Sequence, residues 1–347
     1  MAPAVAAHDE HRHYRMTIAP EKSWRGEAHG LAGDALAMFC QYESELGAMC
    51  HALVDKPDET ATSTIAALWH VAAGRPMSVQ QAGRVPLPAL DADAAARLRE
   101  LVTSRLQGVP LAHLTGWQQF MGIDLLASAG ALIPRAETEL LGYAALAQLR
   151  AIVDANGCAR VIDVCTGSGN LAVALACHEP RARVWGADLS ADAVALAQRN
   201  ATQHHLTDRV TFLAGDLLAP FNAGEFLGAV DLLVCNPPYI SSGKVDTLPG
   251  EIIGHEPRLA FDGGPLGIRV LQRLIDEAPH FLRAGGWLAV EVGLGQGRGM
   301  KRRIERHGGY HQVREIADEC GEVRALLASR RFDSGCPPAG ESDRNRV

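Results

Sequence analysis

From Glu137 to Ala328 the chain alternates between short β-branched runs and longer stretches whose apolar residues fall at helical spacing. A helix runs to Asn156-Gly157, and strand Arg160–Val164, helix Leu171–His178, strand Arg183–Ala187, helix Ala191–His204, strand Val210–Leu213 and strand Ala229–Cys235 follow it. A helix over Leu266–Leu282, strand Trp287–Val292 and two strand-like runs, Gln312–Ala317 and Val323–Ala328, complete the series. Parallel neighbours need a crossover connection, usually a helix, so the alternation predicts an α/β fold: a parallel sheet wound with helices. Ligands of open sheets of this kind bind beyond the C-terminal ends of the strands. The residues at those ends are therefore the ones to read for chemistry.

The chain before Glu137 follows other rules. Residues 1–35 mix Gly, Pro, His and charges without periodicity and predict a poorly ordered extension, in which His8-Asp9-Glu10-His11-Arg12-His13 reads as a polar tail rather than a metal site. Leu36, Phe39, Leu46, Met49, Cys50 and Leu53 recur at helical spacing, as do Ile65, Leu68, Trp69 and Ala72. A third helix runs from Asp91 or Asp93 as cap through Leu98, Leu101, Val102 and Leu106 to Gly108-Val109-Pro110. These predict a small helical domain over residues 36–116. Apolar runs split by Gly122 and Gly130 predict a β-hairpin at 117–133 that opens the second domain, 117–331, and residues 332–347 read as a loose tail.

Composition narrows the classes. A net charge of −7 lacks the excess of cations that a chain gripping nucleic acid through phosphates needs, so direct nucleic-acid binding is not expected. No run of eighteen apolar residues and no signal-peptide core are present, which predicts a cytoplasmic protein without a membrane span. The eight cysteines include no C-x-x-C pair and read as free thiols in a reducing compartment, with no metal site.

Strand Val161-Ile162-Asp163-Val164 runs directly into Cys165-Thr166-Gly167-Ser168-Gly169-Asn170 and then a helix. Glycines let the backbone approach a ligand closely, and the helix start offers unpaired N–H groups. Neither the G-x-G-x-x-G of a dinucleotide site nor the Gly-Lys-Ser/Thr of a phosphate loop is present. The spacing Asp163-x-Cys165-x-Gly167-x-Gly169 instead resembles the acidic-x-Gly-x-Gly-x-Gly turn of class I methyltransferases, with cysteine at the first glycine position. Asp188 ends the next strand, where a carboxylate can accept both ribose hydroxyls of a nucleoside, and Ser190 can cap the helix after it. Asp216 ends the third strand and can face an adenine amino group, with Leu217 packed on the ring. An Asp at one strand end is commonly a turn former, but three in register point to a site.

The most specific signal is Asn236-Pro237-Pro238-Tyr239, at the end of the apolar strand Val230–Cys235. An amide nitrogen is a poor nucleophile because its lone pair is delocalised into the carbonyl. The Asn236 side-chain oxygen and the Pro237 carbonyl can accept both of its N–H hydrogens, holding the nitrogen with its lone pair aimed at a sulfonium methyl. Two prolines stiffen the loop, and Tyr239 can stack on the planar target. An exocyclic base nitrogen or a nitrogen of a small metabolite fits the same device.

Further segments extend the likeness: Pro110-Leu111-Ala112-His113-Leu114-Thr115-Gly116, Leu132-Ile133-Pro134-Arg135-Ala136-Glu137-Thr138-Glu139, Glu256-Pro257 with Gly263-Gly264 and Gly267, Gly285-Gly286-Trp287, and Glu291-Val292-Gly293-Leu294-Gly295-Gln296-Gly297. In order and spacing, residues 36–330 resemble the HemK/PrmC family of protein N5-glutamine methyltransferases. The resemblance implies a Rossmann-like class I methyltransferase sheet, a helical substrate-recognition domain, S-adenosyl-L-methionine as cofactor and a peptide-chain release factor as protein substrate; a sister group acts on a ribosomal protein. It implies cofactor contacts from Cys165, Thr166, Gly167, Ser168, Gly169, Asp188, Leu217 and Asn236, beside which Asp163 and Asp216 at the strand ends read as further cofactor contacts, and substrate contacts from Asn236, Pro237, Pro238 and Tyr239. Ala136 departs from the family's second proline, and Cys165 stands where the release-factor group has glycine and is nearer to the ribosomal-protein group. The connection Ser241–Asp262 reads as a substrate loop.

Overall fold

The computed structural model describes residues 31–50 and 56–332. The expectations for residues 1–30, for Leu53 and for residues 333–347 lie outside the described residues. Helix α1 (Gly33–Cys50) starts inside the span read as an extension; α2 (Ala61–Ala72), α3 (Val79–Ala82), α4 (Ala92–Leu106) and α5 (Leu111–Thr115) follow. Their caps are the expected short polar residues: Thr60 accepts from Ser63 N at 3.1 Å, and Asp91, rather than Asp93, accepts from Ala94 N at 2.7 Å. Phe39, Leu46, Leu68, Trp69 and Leu98 make a core of their own, and the Trp69 indole N–H is satisfied by the Pro88 carbonyl at 2.8 Å.

Strands β1 (Trp117–Phe120) and β2 (Ile123–Leu126) form the expected hairpin, with Met121 and Gly122 at φ 48° and 77° in its two-residue turn. It docks on the helix over residues 191–203 through Asn200, whose side chain bonds both Leu126 N and Leu126 O.

The remaining elements are α6 (Thr138–Asn156), β3 (Ala159–Val164), α7 (Asn170–His178), β4 (Ala182–Asp188), α8 (Ala191–Gln203), β5 (Val210–Ala214) and β6 (Val230–Cys235). After them come α9 (Ser242–Val245), α10 (Gly250–Ile253), α11 (Arg269–Phe281), β7 (Leu282–Glu291), α12 (Gly297–His307), β8 (Tyr310–Ala317) and β9 (Val323–Arg330). Seven strands form one sheet in the order β5-β4-β3-β6-β7-β9-β8, parallel from β5 through β7. The last two strands are antiparallel, with β9 inserted beside β7. One apolar layer, with α6, α7 and α8, covers one face of the sheet, and a second, with α11 and α12, covers the other. Strand order along the sheet reverses between β3 and β6, which opens a crevice at their C-terminal ends.

Three details depart from the sequence reading. The connection Ser241–Asp262, read as a substrate loop, holds α9, α10 and a short 3-10 turn at Arg258–Ala260; four-residue helices are too short to show a period. Helix α12 was not anticipated, because its run Arg298–His307 is dominated by charge and buries only Gly297, Met300 and Ile304. Helix α11 starts at Arg269, later than expected, because Gly267 holds φ 70° and packs so closely that a Cβ there would lie 2.2 Å from the Tyr239 carbonyl oxygen. Among the described residues, no helix is long and apolar enough to cross a membrane.

A buried ion cluster ties the helical unit to the sheet. Arg105 is fully buried and reaches Glu59 at 3.0 Å and Glu251 of α10 at 3.4 Å, while Lys56 meets Glu251 at 2.5 Å. Burial pushes the Glu59 carboxyl above the ordinary carboxylate range, whereas the Lys56 and Arg105 partners hold Glu251 below it against its own desolvation.

Candidate active site

The turn after β3 is built by conformation as much as by chemistry. Cys165 holds φ 57° and Gly167 and Gly169 hold 54° and 79°. Cys165 is thus an L-residue in the left-handed region, at a cost of roughly 1–2 kcal/mol that the surrounding structure must offset. Gly169 is required by packing: a Cβ would fall 2.9 Å from the Phe212 ring and 3.0 Å from Ala197. Asp163 lies beneath the turn, accepting from the Thr166 hydroxyl at 2.6 Å and from Ala172 N at 3.2 Å. Its burial raises the carboxyl to about 7 despite those two hydrogen bonds. The other Asp163 oxygen and the Ser168 hydroxyl are buried without a hydrogen-bond partner among the described residues.

Asp188 does more than the sequence showed. One carboxylate oxygen accepts from Gly167 N at 2.9 Å and the other from Ser190 N at 2.9 Å, so Asp188 stitches the end of β4 to the glycine turn. Desolvation raises its carboxyl above the ordinary value, against those same N–H donors. Ser190 caps α8 as expected, accepting from Ala193 N. Asp216 is turned toward Arg273 of α11, whose guanidinium it accepts from at 3.0 Å, and Leu217 sits beside it at φ 48°.

Asn236 follows β6 directly. Its Nδ2 donates to the Thr138 hydroxyl, at the first turn of α6, at 3.0 Å, which leaves the Oδ1 end for the crevice. Tyr239 is swung away from the crevice: its ring lies against Gly293 and its hydroxyl interacts with the buried Glu291 carboxyl, which together with burial pushes the phenol upward. Gln296 supports the same loop, donating to the Tyr239 carbonyl at 3.0 Å and to the Gly267 carbonyl at 3.3 Å. Glu256 ties the loop over the crevice to the linker through Arg135 at 2.5 Å and Ile133 N at 2.9 Å.

A single cavity of about 500 Å³ joins these parts. Cys165, Thr166, Gly167, Asp188, Asp216, Leu217, Asn236 and Pro238 all line it. Asp163, Ser168, Gly169, Pro237 and Tyr239 do not; the first three lie under or behind the turn. The cavity also takes in residues that the sequence reading gave no role: Thr138 and Asn170, the exposed Leu189, and Arg269 and Arg273 on α11. Thr138 stood inside a quoted segment, but nothing in a linear sequence ties it to a residue 98 positions later. Leu189 carried a signal, an apolar residue directly after the carboxylate at a strand end.

The chain is similar to several known proteins. Residues 145–268 match the family described as Methyltransferase small domain. A solved ribosomal protein L11 methylase from Lactobacillus delbrueckii subsp. bulgaricus has 19% identity and a TM-score of 0.42, covering 58% of this chain and 82% of its own. A release factor glutamine methyltransferase of Moorella thermoacetica is 40% identical over 238 residues, 69% of this chain and 81% of the relative. Its counterpart from Geobacter sulfurreducens is 39% identical over 219 residues, 63% of this chain and 73% of the relative. With a parallel sheet, a crevice where the strand order reverses and relatives matched at this level over most of their length, the chain belongs to the release factor glutamine methyltransferase family, and it is a methyltransferase.

Proposed function

We propose that the protein transfers a methyl group from S-adenosyl-L-methionine to the side-chain amide nitrogen (N5) of a glutamine in a peptide-chain release factor, in the cytoplasm. The observation that carries this reading is the continuity of one cavity from Gly167 and Asp188 to Asn236 and Pro238, so that a methyl donor and a planar nitrogen can meet in it. At about 500 Å³ it is within the usual range of small-molecule sites.

The donor half suits the cofactor. Asp188 keeps free lone pairs on both oxygens for the ribose hydroxyls, and Leu189 and Leu217 offer apolar cover for the adenine. When bound, S-adenosyl-L-methionine supplies the electrophilic methyl on its sulfonium.

The chain's own residues then act on the nitrogen. Asn236 Oδ1 accepts one N–H of the amide; the Pro237 carbonyl, between the cavity-lining Asn236 and Pro238 and used by no hydrogen bond among the described residues, is the acceptor for the other. Both groups are held before substrate arrives, one by Thr138 and one by the Pro237-Pro238 ring pair, so little reorganisation accompanies the reaction. Asp216, paired with Arg273, serves the rim of this site rather than its floor. No strong base is needed, because the nitrogen turns acidic once methylated.

The experiment is incubation with methyl-labelled S-adenosyl-L-methionine and, in separate tubes, release factors, ribosomes, RNA and a small-molecule extract. Label in a release-factor glutamine, located by peptide mass spectrometry, supports the reading. Label confined to any other fraction overturns it.

A further inference from the structure

We propose that Thr138 and Glu291 are positioning residues that fix which end of the Asn236 amide faces the methyl acceptor. The inference rests on the clamp reading above and adds to it a device located on two elements distant in sequence.

An Asn side chain presents a carbonyl oxygen that only accepts and an amino group that only donates, and a rotation of its amide exchanges the two. Capture of an acceptor N–H₂ needs the oxygen in the cavity; the amino group there would oppose donor to donor. In the structure the amino group is withdrawn, Nδ2 donating to the Thr138 hydroxyl at 3.0 Å. A hydroxyl can receive that bond on its lone pair only if its single hydrogen points elsewhere. Glu291 supplies the elsewhere: its carboxyl interacts with the hydroxyls of both Thr138 and Tyr239. Direction is therefore set along the line from Asn236 to Thr138 to Glu291, and it ends on a carboxyl that keeps an acceptor oxygen for the Thr138 hydroxyl whether ionised or protonated.

Placement makes this a built feature. Glu291 is the last residue of β7, and Cys235, just before Asn236, pairs in register with Val290 of that strand. Thr138 starts α6 and is 1% exposed, and Glu291 is 2% exposed. A carboxyl so buried demands donors, and the Tyr239 and Thr138 hydroxyls are drawn to it from the two sides of the clamp. Arg324 of β9 and Glu137, just before α6, also face it, and burial lifts it to about 7. One of its oxygens, Oε2, has no hydrogen-bond partner among the described residues. Glu291 thus touches neither methyl donor nor acceptor in this scheme and acts through Thr138 and Tyr239.

The test uses the full chain with a release factor as acceptor. Thr138→Val keeps the shape and removes the hydroxyl, and its kcat should fall by ~10- to 100-fold, since a small misplacement of a reacting group costs that much. Cofactor affinity by calorimetry should stay at the wild-type value, and Thr138→Ser should restore most of the rate. Glu291→Leu should reproduce the Thr138→Val loss, with the double variant little worse than either single one, because both act on one line. Wild-type kcat in Thr138→Val, or additive losses in the double variant, would overturn the proposal. Amide-proton exchange at the Asn236 side chain, followed by NMR with Asn-selective labelling, reads the orientation without any acceptor: protection in the wild type and its loss in Thr138→Val supports the relay, and equal exchange sinks it. If the wild type methylates no release factor, the functional reading fails, while the exchange measurement still decides the relay.

Discussion

The two halves of the cavity are assembled in different ways. In the donor half, the bonds of the two carboxylates stay within neighbouring βα units: Asp163 to Thr166 and Ala172, and Asp188 to Gly167 and Ser190, at sequence separations of 2 to 21 residues, with Asn200 reaching the Ser168 carbonyl across 32. In the acceptor half, Asn236 is held by a residue 98 positions earlier, the Tyr239 carbonyl by one 57 positions later, and the covering loop by bonds from Glu256 that span 121 and 123 residues. The donor half is thus formed by the same local contacts that build the sheet. The acceptor half exists only once α6, β7, the linker and the loop after β6 have all come together. A fold arranged this way can keep its cofactor while its acceptor site diverges, because the two halves share few supports.

The largest expected effect separates the halves by function. Asn236→Ala should lower methyl transfer by about 10³-fold, the scale found when one preorganised polar group is removed from a reacting centre, while calorimetry finds cofactor binding largely intact. Asp188→Ala should do the reverse in kind, weakening cofactor binding because it also releases the Gly167 N–H. Equal losses of cofactor affinity in both variants would break the comparison, since the halves would then be one site.

Next in size is a structural test of the long-range half. Glu256→Ala leaves Arg135 with a side chain only 13% exposed and no carboxylate beside it, and leaves the Ile133 N–H without its acceptor. Removing one partner of a buried ion pair costs about 3 kcal/mol or somewhat more, to be read as a lower denaturant midpoint with unchanged m-value. The exposed pair between Arg181 and Asp154, at 51% and 72% exposure, is the control and should cost almost nothing when broken.

What the sequence displayed follows the same division. The strand-helix alternation, the glycine turn, Asp188 and the Ser190 cap were legible because each is a pattern within about ten residues. Asn236-Pro237-Pro238-Tyr239 was legible as a motif, but the expectation that Tyr239 stacks on the target has a different geometry here, with its hydroxyl drawn to Glu291. Thr138, Glu291 and Gln296 stood in segments quoted for their likeness to a family, yet their partners could not be read, since a side chain's contact across the sheet leaves no periodic trace. Helix α12 was missed for a related reason: a helix of mostly charged residues with three buried positions offers little apolar period. Asp216 was read as facing an adenine amino group, and Arg273, whose guanidinium meets its carboxylate, was not foreseen.

A smaller effect compares the two buried carboxyls, one in each half, that burial raises to about 7. The folded protein holds these protons after the unfolded chain, with ordinary carboxyls, has released them. The folded state then binds more protons, so stability falls as pH rises from the ordinary carboxylate range to about 7 and levels off above it, at a slope on the order of 1 kcal/mol per pH unit for each group. Asp163→Asn suits the site, because a single oxygen now receives both the Thr166 and Ala172 bonds and the amide oxygen can replace it. Wild type minus Asp163→Asn, measured by denaturation between pH 5 and pH 8, should show that slope, and Glu291→Gln should show one of the same sign. A flat difference curve for Asp163 would mean that its two donors outweigh its burial.

The smallest effect concerns the contact that crosses from one half to the other. Asp216 follows β5 in the donor half, and Arg273 lies on α11 beside the acceptor side; their side chains are 52% and 46% exposed and meet at 3.0 Å. Water and salt screen a pair this open, so Arg273→Ala should cost under ~1 kcal/mol of stability, with the difference vanishing in high salt. If the halves are supported independently, cofactor affinity should also hardly move, because Asp188 and the glycine turn keep their own bonds. A loss of several kcal/mol, or a collapse of cofactor binding, would show instead that α11 braces the donor half through Arg273, and the separation between local and long-range construction would end at the rim of the cavity.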